Sequence, residues 1–298
     1  MRHWMMATMV LLTLASGLAQ ASAQEQAFPA MPLDELGLPE VIVTSDGVTL
    51  TAPTELDADR YYLELENRSA AASMAVEFYR APDGTSAADL IPDFQSAAAS
   101  NLPPPGFYDN LIGGGVSAEP GRTGQAVIDL PAGSWVVAVF VYGGEANSLL
   151  AQQLEVTGEI GSPDDPDSDV DVNFEDFAFE LGSGLRAGDL VWELENDGNQ
   201  PHFISIYSYP GELTAAGVNA ALAAAYGASP EPVAPNVAPI DLSQLVEIGG
   251  SGTMSAGVEA WLQIDLPPGA YLALCQVADR DSGLPHSVLG QFVVFTVT

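Results

Sequence analysis

The chain contains no lysine, and its seven basic residues are all arginines, against 40 aspartates and glutamates. The formal net charge is therefore -33 at pH 7. A negative field of this size repels the phosphates of nucleic acids and anionic lipid surfaces, and it favours cationic partners and counter-ions. Nucleic acid is excluded as a partner on this ground. Because the acidic residues are dispersed along the sequence, we interpret most of them as a solvated surface.

Cysteine and histidine are also scarce, with one cysteine and three histidines in 298 residues. A single cysteine cannot form a disulfide within the chain. Cys275 is therefore a buried apolar residue, an intermolecular link or a ligand. His3 lies in the N-terminal leader described next, so only His202 and His286 are left for the mature protein.

Residues 1–23 have the pattern of a secretory signal peptide. Arg2 supplies the positive charge, a mostly apolar run follows, and Ala21-Ser22-Ala23 predicts cleavage before Gln24. No later segment approaches the length of a membrane span. We therefore expect the protein to be secreted or periplasmic, with no membrane span after cleavage. The alternative is an uncleaved leader that anchors the protein.

The rest of the chain contains an internal repeat. The motif LELEN at 63–67 returns as WELEN at 192–196, and IDLPAG at 128–133 returns as IDLPPG at 264–269. Two copies at this spacing indicate duplicated domains. The Pro- and Asp-rich segment 161–171 between them has no apolar periodicity, which is typical of an exposed linker. We predict one domain at 24–160 and another at 172–298.

Each repeat is rich in short stretches of β-branched and aromatic residues bounded by Gly, Pro, Asn or Asp, which predicts strands. Each repeat also has a long insertion, at 81–120 and 210–252, and both insertions contain an Ala-rich helix candidate. The predicted fold class is all-β, with two Greek-key β-sandwich domains that each have a short helical insertion.

The scarce donors cluster in the second repeat. His202 follows an N-x-G-x-x-P motif, Cys275 ends the strand PGAYLALC, and His286 and Gln291 follow in P-H-x-x-x-x-Q before the final FVVFTV strand. Two imidazoles and a thiolate with a weak fourth donor form the ligand set of a type 1 copper site. Taken singly, each residue has an ordinary structural interpretation as a core cysteine or a strand-end histidine. The coincidence of all three favours copper.

These motifs resemble the cupredoxin family of blue copper proteins, whose fold the second repeat would then share. The resemblance implies one type 1 copper per chain, with His202, Cys275 and His286 as ligands and Gln291 in the axial place, where methionine is commoner. Ten residues separate Cys275 from His286, more than in the small electron carriers of the family. A loop of this length closes at modest entropic cost but holds a ligand less firmly. An axial oxygen donor lowers the reduction potential.

The first repeat has no histidine, so we expect its domain to lack the site and the metal question to belong to the second domain alone. Multicopper oxidases and copper nitrite reductases need more histidines than this chain has, so we expect no enzymatic activity. The predicted function is an exported copper protein of the electron-transfer type with an unknown redox partner protein. The alternative is a metal-free cupredoxin-like module that binds or supports something outside the cell.

Overall fold

The computed structural model describes residues 29–100, 103–143 and 148–298. The predicted signal peptide, residues 1–23, lies outside the described residues. Within the described part of the chain, no helix is long and apolar enough to cross a membrane. The described residues are mostly β and form 17 strands, three short α-helices and two single 3-10 turns at Leu33–Glu35 and Leu242–Gln244.

In the first half of the chain, the residues that the structure describes form nine strands and one α-helix. They are β1 (Glu40–Ser45), β2 (Leu50–Thr51), β3 (Glu55–Asp57), β4 (Asp59–Asn67), β5 (Ser73–Arg80), α1 (Ala87–Ala99), β6 (Ile112–Ala118), β7 (Thr123–Leu130), β8 (Gly133–Tyr142) and β9 (Ser148–Thr157). Buried and less buried residues alternate in β1, as expected for a strand with one face on a core.

The second half contains eight strands and two helices. They are β10 (Val170–Glu175), β11 (Ala178–Leu181), β12 (Gly188–Asn196), β13 (Ser205–Tyr209), α2 (Ala215–Tyr226), β14 (Val246–Gly250), β15 (Glu259–Leu266), β16 (Gly269–Leu274), α3 (His286–Leu289) and β17 (Phe292–Val297). The predicted linker is mostly exposed, but β10 begins within it, because Val170 and Val172 both point into the core.

The strands form three sheets. One sheet has eight strands in the order β11-β10-β12-β15-β7-β4-β1-β2, so it contains strands from both halves of the chain. A five-stranded sheet, β3-β9-β8-β5-β6, belongs to the first half, and a four-stranded sheet, β14-β13-β16-β17, belongs to the second. The two repeats therefore share one continuous sheet, which the sequence analysis did not anticipate. Strand patterning shows which face is buried but not which edges meet.

The two halves meet where β7 pairs with β15. The pairing is antiparallel, and Leu262 lies opposite Ala126 near its centre. On each side of this contact the order outward is an IDLP strand, a LELEN-type strand, a strand parallel to it and a short antiparallel strand. The large apolar core lies between the sheets and includes Trp135 of the first half and Trp192 of the second, both fully buried.

Helices form where the Ala-rich stretches lie. Helix α1 begins after Ser86, whose side chain accepts a hydrogen bond from the Ala88 amide, so the N-terminus is capped. Helix α2 begins after Thr214, which caps in the same way, and ends at Gly227 in the left-handed conformation that terminates many helices. Each helix lies on the face of a smaller sheet that points away from the eight-stranded sheet. Helix α1 contacts β8 and β9, and helix α2 contacts α3.

Candidate metal centre

His202 is held by the backbone between Pro201 and β13. Its amide donates to the Met254 carbonyl at 3.0 Å, and the Met254 amide donates back to the His202 carbonyl at 2.8 Å. Met254 also forms a bridge to Gly113 of the first half. The position of His202 therefore depends on a segment that is itself fixed against the first half.

The N-x-G motif before His202 shapes this turn. The Asn196 side chain donates to the carbonyls of Gln200 and Met254 at 2.9 and 2.8 Å, and it accepts from the Gly198 amide at 3.0 Å. A Cβ atom at Gly198 would lie 2.7 Å from His202 Nε2 and 2.7 Å from the Asp176 carboxylate. Glycine is required there because the backbone passes directly against the imidazole.

Cys275 follows directly on β16 and is fully buried. Its amide donates to the Gln291 carbonyl at 3.1 Å, and its carbonyl accepts from the Ser287 amide at 2.8 Å. It belongs to an apolar cluster, here called the Cys275 cluster, in which the other buried members except Val277 come from the first half. Those members include Phe107 and Ile112. The first half therefore forms one wall of the site.

His286 is the first residue of α3 and is also fully buried. Its amide donates to the Val277 carbonyl at 2.8 Å, which pulls the helix start back toward the strand end at Cys275. Its carbonyl accepts from the Gln291 amide at 3.0 Å. Cys275, His286 and Gln291 are thus joined to one another through the backbone, whereas the backbone of His202 pairs with Met254.

The long loop between Cys275 and His286 is folded as a closed turn. Ala278 pairs with Pro285, the Asp279 amide donates to the Leu284 carbonyl at 2.8 Å, and the Gly283 amide donates to the Asp279 carbonyl at 2.8 Å. Burial of Asp279 would raise the pKa of its carboxyl group, but hydrogen bonds from Ser282 and Gln200 outweigh burial and lower this pKa to about 2. The loop is therefore held around an ionised carboxylate.

The first half also fastens this loop. The Tyr108 hydroxyl donates to the Ala278 carbonyl at 2.7 Å. The Arg280 guanidinium lies over the Tyr108 ring, 4.9 Å from its centroid, and donates to Asp109 at 2.6 Å. The sequence analysis expected a loop of this length to hold a ligand loosely. The structure instead shows it fixed from within and from the other half of the chain.

The three donor atoms form a compact triangle. His202 Nδ1 lies 2.9 Å from His286 Nδ1 and 4.0 Å from Cys275 Sγ, and His286 Nδ1 lies 3.7 Å from Cys275 Sγ. A circle through a triangle with sides of 2.9, 3.7 and 4.0 Å has a radius of about 2.1 Å, close to the ~2.0–2.3 Å bonds that histidine nitrogen and cysteine sulfur form with zinc. One metal ion could therefore contact all three atoms without moving them.

The protonation of His202 follows from its outer contact. Its Nε2 lies 3.1 Å from an Asp176 carboxylate oxygen. Burial would raise the pKa of Asp176, but hydrogen bonds from Asn199, His202 and Gln200 lower it overall, so the carboxylate is ionised and can only accept. Nε2 of His202 must then carry the proton, and Nδ1 presents its lone pair to the triangle.

Burial sets the charge of the site. It lowers the pKa of His202, and together with repulsion from His202 it lowers the pKa of His286 to about 4. Burial also raises the pKa of the Cys275 thiol to about 12. At neutral pH both imidazoles are neutral and the sulfur is protonated. Two nitrogen lone pairs 2.9 Å apart repel each other unless a proton or a metal ion lies between them.

Gln291 lies beside the triangle and is fully buried. Its Nε2 donates to the carbonyls of Glu175 and Ala178 at 3.1 and 3.3 Å. Its Oε1 has no well-formed hydrogen bond to any described residue. The amide side chain nevertheless lies close enough to both imidazoles to raise their pKa, against the effect of burial.

The buried group of His202, Cys275 and His286 fits a type 1 copper site, since it offers two imidazole nitrogens and one sulfur, all on side chains that are not exposed to solvent. The structure brings together all three residues that the sequence singled out and places Gln291 beside them. Three further residues that the sequence did not predict contact the group from distant parts of the chain: Asp176, Phe177 and Met254.

No protein-family model matches the sequence, and no curated protein matches it. Among solved structures, the reduced auracyanin of Roseiflexus castenholzii is 22% identical, with 43% of this chain and 94% of that chain covered and a TM-score of 0.27. A multicopper oxidase is 12% identical over 87% of this chain and 88% of its own, with a TM-score of 0.21. A copper-containing nitrite reductase from Thermus scotoductus is 11% identical over 87% and 61%, with a TM-score of 0.22.

The first prediction concerns the loop contact with Tyr108. In Tyr108→Phe the ring under Arg280 remains, but the hydrogen bond to the Ala278 carbonyl is lost. We expect the free energy of unfolding to fall by about 0.5–1.5 kcal/mol and the amides of residues 278–286 to exchange faster with solvent. Urea unfolding and hydrogen exchange measure these effects. Tyr226→Phe, at an exposed position, is the control, and equal effects in both variants would contradict the role of Tyr108.

The second prediction concerns the number of protons that are released when a metal ion binds. Because the Cys275 thiol is protonated at pH 7.5 and both imidazoles are neutral there, binding of a metal ion to this group should release about one proton per ion. Titration of the metal-free protein with Cu(II) in weak buffer, with a pH indicator, measures this ratio. A ratio near zero would show that Cys275 is not deprotonated. A ratio near two would show that an imidazole was charged before binding.

Proposed function

We propose that this protein is a type 1 copper protein of the electron-transfer class. His202 and His286 would bind the metal through Nδ1 and Cys275 through its sulfur. The observation that carries the proposal is the convergence of these three buried donor atoms on one point at metal-binding distance. Copper in such a site would supply a one-electron couple between Cu(II) and Cu(I).

The contribution of the chain is to keep the donors fixed and dry. None of the three side chains is exposed to solvent, and the apolar Cys275 cluster covers the sulfur. Backbone hydrogen bonds join Cys275 to Ser287 and Gln291, and the Gln291 amide to His286. A site that cannot rearrange and admits no water changes little when its charge changes, which favours rapid electron transfer over chemistry on a bound substrate.

We propose Gln291 as the axial donor. Two backbone carbonyls hold its Nε2, and this turns Oε1 away from them and leaves it without a well-formed partner among the described residues. A buried amide oxygen without such a partner is costly unless something binds it. A weak bond to copper would satisfy it.

We do not propose an enzyme. After residue 23 the chain has only His202 and His286, and both are committed to the one group. No histidine remains for a second copper centre where a substrate could be reduced or oxidised. The redox partner would be another protein, whose identity the chain does not specify.

We propose further that the two halves are tandem cupredoxin-like domains with Greek-key connections, at 24–160 and 172–298. Equivalent strands on the two sides of the β7–β15 contact support this, as does a helical insertion in the same place in each half. Export rests on residues 1–23 and stays a prediction of the sequence. It also stays a prediction that the second domain alone binds the metal. The first-half residues of the Cys275 cluster are relevant to this prediction, because they pack together with Cys275.

The test of the main proposal is addition of Cu(II) to the purified protein, followed by visible absorption and electron paramagnetic resonance. An intense thiolate-to-copper charge-transfer band with one copper per chain supports the proposal. A folded protein that stays colourless and binds no copper would favour the metal-free extracellular module instead.

The third prediction concerns Cys275→Ser. The hydroxyl has nearly the size of the thiol, but it is a hard and poorly acidic donor, so the charge-transfer band should disappear. Circular dichroism should show a preserved fold. Ser287→Ala is the control, because Ser287 is equally buried and adjacent to His286 but is no candidate ligand. An unchanged spectrum in Cys275→Ser would remove the type 1 proposal.

The fourth prediction concerns Gln291. Gln291→Met replaces an oxygen donor by a soft thioether that favours Cu(I), so the reduction potential should rise. Gln291→Glu keeps an oxygen and adds negative charge, so the potential should fall. Redox titration measures both, with the exposed Gln276→Met as the control. If the two variants shift the potential in the same direction or not at all, Gln291 is not the axial donor.

A further inference from the structure

The hairpin turn between β10 and β11, residues 175–178, contacts the candidate ligands at every position. We call it the 175–178 turn. Its two outer residues, Glu175 and Ala178, accept hydrogen bonds from Gln291 through their carbonyls. Its two central residues, Asp176 and Phe177, face His202 and His286. A turn of four residues thus contacts three of the four candidate ligand side chains, namely those of His202, His286 and Gln291.

Asp176 is held in place as firmly as the histidine that it contacts. One of its carboxylate oxygens accepts from the Asn199 amide at 2.9 Å as well as from His202 Nε2 at 3.1 Å. The other accepts from the Asn199 side chain at 2.9 Å. These bonds tie the 175–178 turn to the segment that leads into His202. A carboxylate behind a ligating imidazole fixes the tautomer and the orientation of the ring.

Phe177 covers the other imidazole. Its ring meets the His286 ring edge to face, with centroids 5.2 Å apart. Its carbonyl oxygen lies so close to Gly290 that a Cβ atom there would be 3.0 Å away. Nε2 of His286 is buried and has no hydrogen-bond partner among the described residues. Phe177 is therefore part of the wall that keeps this nitrogen from water.

The backbone of Phe177 is unusual, because it is the one non-glycine residue with positive φ, 67°, in the described chain. The equivalent hairpin of the first half, between β1 and β2, has Gly47 with a φ of 89°. Both hairpins follow a strand that runs parallel to a LELEN-type strand. Glycine adopts this conformation freely, whereas a residue with a side chain is strained in it. The turn beside the candidate ligands thus holds a side chain in a strained backbone conformation, whereas the positive φ of the first-half hairpin falls on a glycine, one residue earlier in the register of the parallel strands.

We propose that the 175–178 turn presets the metal centre before the metal binds. Asp176 keeps the proton of His202 on Nε2, so that Nδ1 is bare, and Phe177 shields His286. Both are positioning residues rather than ligands. The inference rests on the proposed copper site for its metal-binding consequences, but the state of His202 in the metal-free protein is a separate and earlier consequence.

The test begins with the metal-free protein. Nitrogen-15 NMR of its histidines should show His202 in the Nε2–H tautomer in wild type and a mixture of tautomers in Asp176→Ala. Cu(II) affinity should fall by about 10–100-fold in Asp176→Ala, and Asp176→Asn should restore most of it because the amide oxygen still accepts. Asp46→Ala is the matched control: Asp46 accepts the Val48 and Thr49 amides in the first-half hairpin. It should leave both the tautomer and the affinity unchanged.

Phe177→Gly tests the cover separately. Glycine relieves the backbone strain, so the midpoint of thermal unfolding should change little, while cyanide should remove bound copper about tenfold faster than from wild type. Phe177→Leu keeps an apolar side chain and should stay close to wild type. If removal is equally slow in all three proteins, the shielding role is wrong.

The outcomes separate this inference from the proposed function. A wild-type protein that binds no copper but has His202 as Nε2–H, with that state lost in Asp176→Ala, overturns the copper proposal and keeps the positioning role. A wild-type protein with His202 as Nδ1–H overturns the inference whether or not copper binds, and this reading needs no variant to fold. Equal copper affinity in Asp176→Ala and Asp46→Ala would also overturn it.

Discussion

The pairing of β7 with β15 is the contact on which the arrangement of this molecule depends. It joins the two halves into one eight-stranded sheet, and it thereby fixes the positions of the five-stranded and four-stranded sheets relative to each other. Behind it, the buried Glu77 of the first half accepts a hydrogen bond from the Thr253 hydroxyl of the second at 2.8 Å. Since Met254 follows directly and pairs with both Gly113 and His202, the register between the halves is transmitted to the candidate ligand. Contacts from both halves of the chain thus position the group of His202, Cys275 and His286.

The second constraint is burial of polar donors in an apolar pocket. Two imidazoles, a thiol and an amide lie where no water reaches them, and burial lowers the pKa of both histidines and raises the pKa of Cys275. In the metal-free protein this arrangement leaves His286 Nε2 and Gln291 Oε1 without well-formed partners among the described residues. Such groups destabilise a fold by about 1–3 kcal/mol each when nothing binds them. A cation at the centre of the triangle would offset part of this cost, so metal binding and stability should be coupled.

The sequence was sufficient to predict the candidate ligands but not the residues that hold them in place. His202, Cys275 and His286 could be named because donors of these types are so rare in the chain, and Gln291 because of its spacing from His286. The Ala-rich helices could be placed because helix propensity is local. Asp176 and Phe177 could not, since they reach the site only through the pairing of β10 with β12, which no local pattern encodes. The shared sheet was missed for the same reason. One signal was available: aligned on the LELEN-type strands, the two repeats set Gly47 against Asp176, so an aspartate stands in the place of a turn glycine.

The two halves keep the same framework and differ where the chemistry would be. Asn67 and Asn196 end the two LELEN-type strands, and each donates two hydrogen bonds from its side chain to nearby carbonyls. These hydrogen bonds stabilise the turn after the strand in both copies, so they are a property of the fold. The residues that follow differ, because only the second copy continues to a histidine. The first copy, free of ligands, presents aromatic and aliphatic side chains such as Phe107 and Ile112 to Cys275, together with the Tyr108 hydroxyl to the ligand loop. The first half can therefore contribute to the site without binding anything itself.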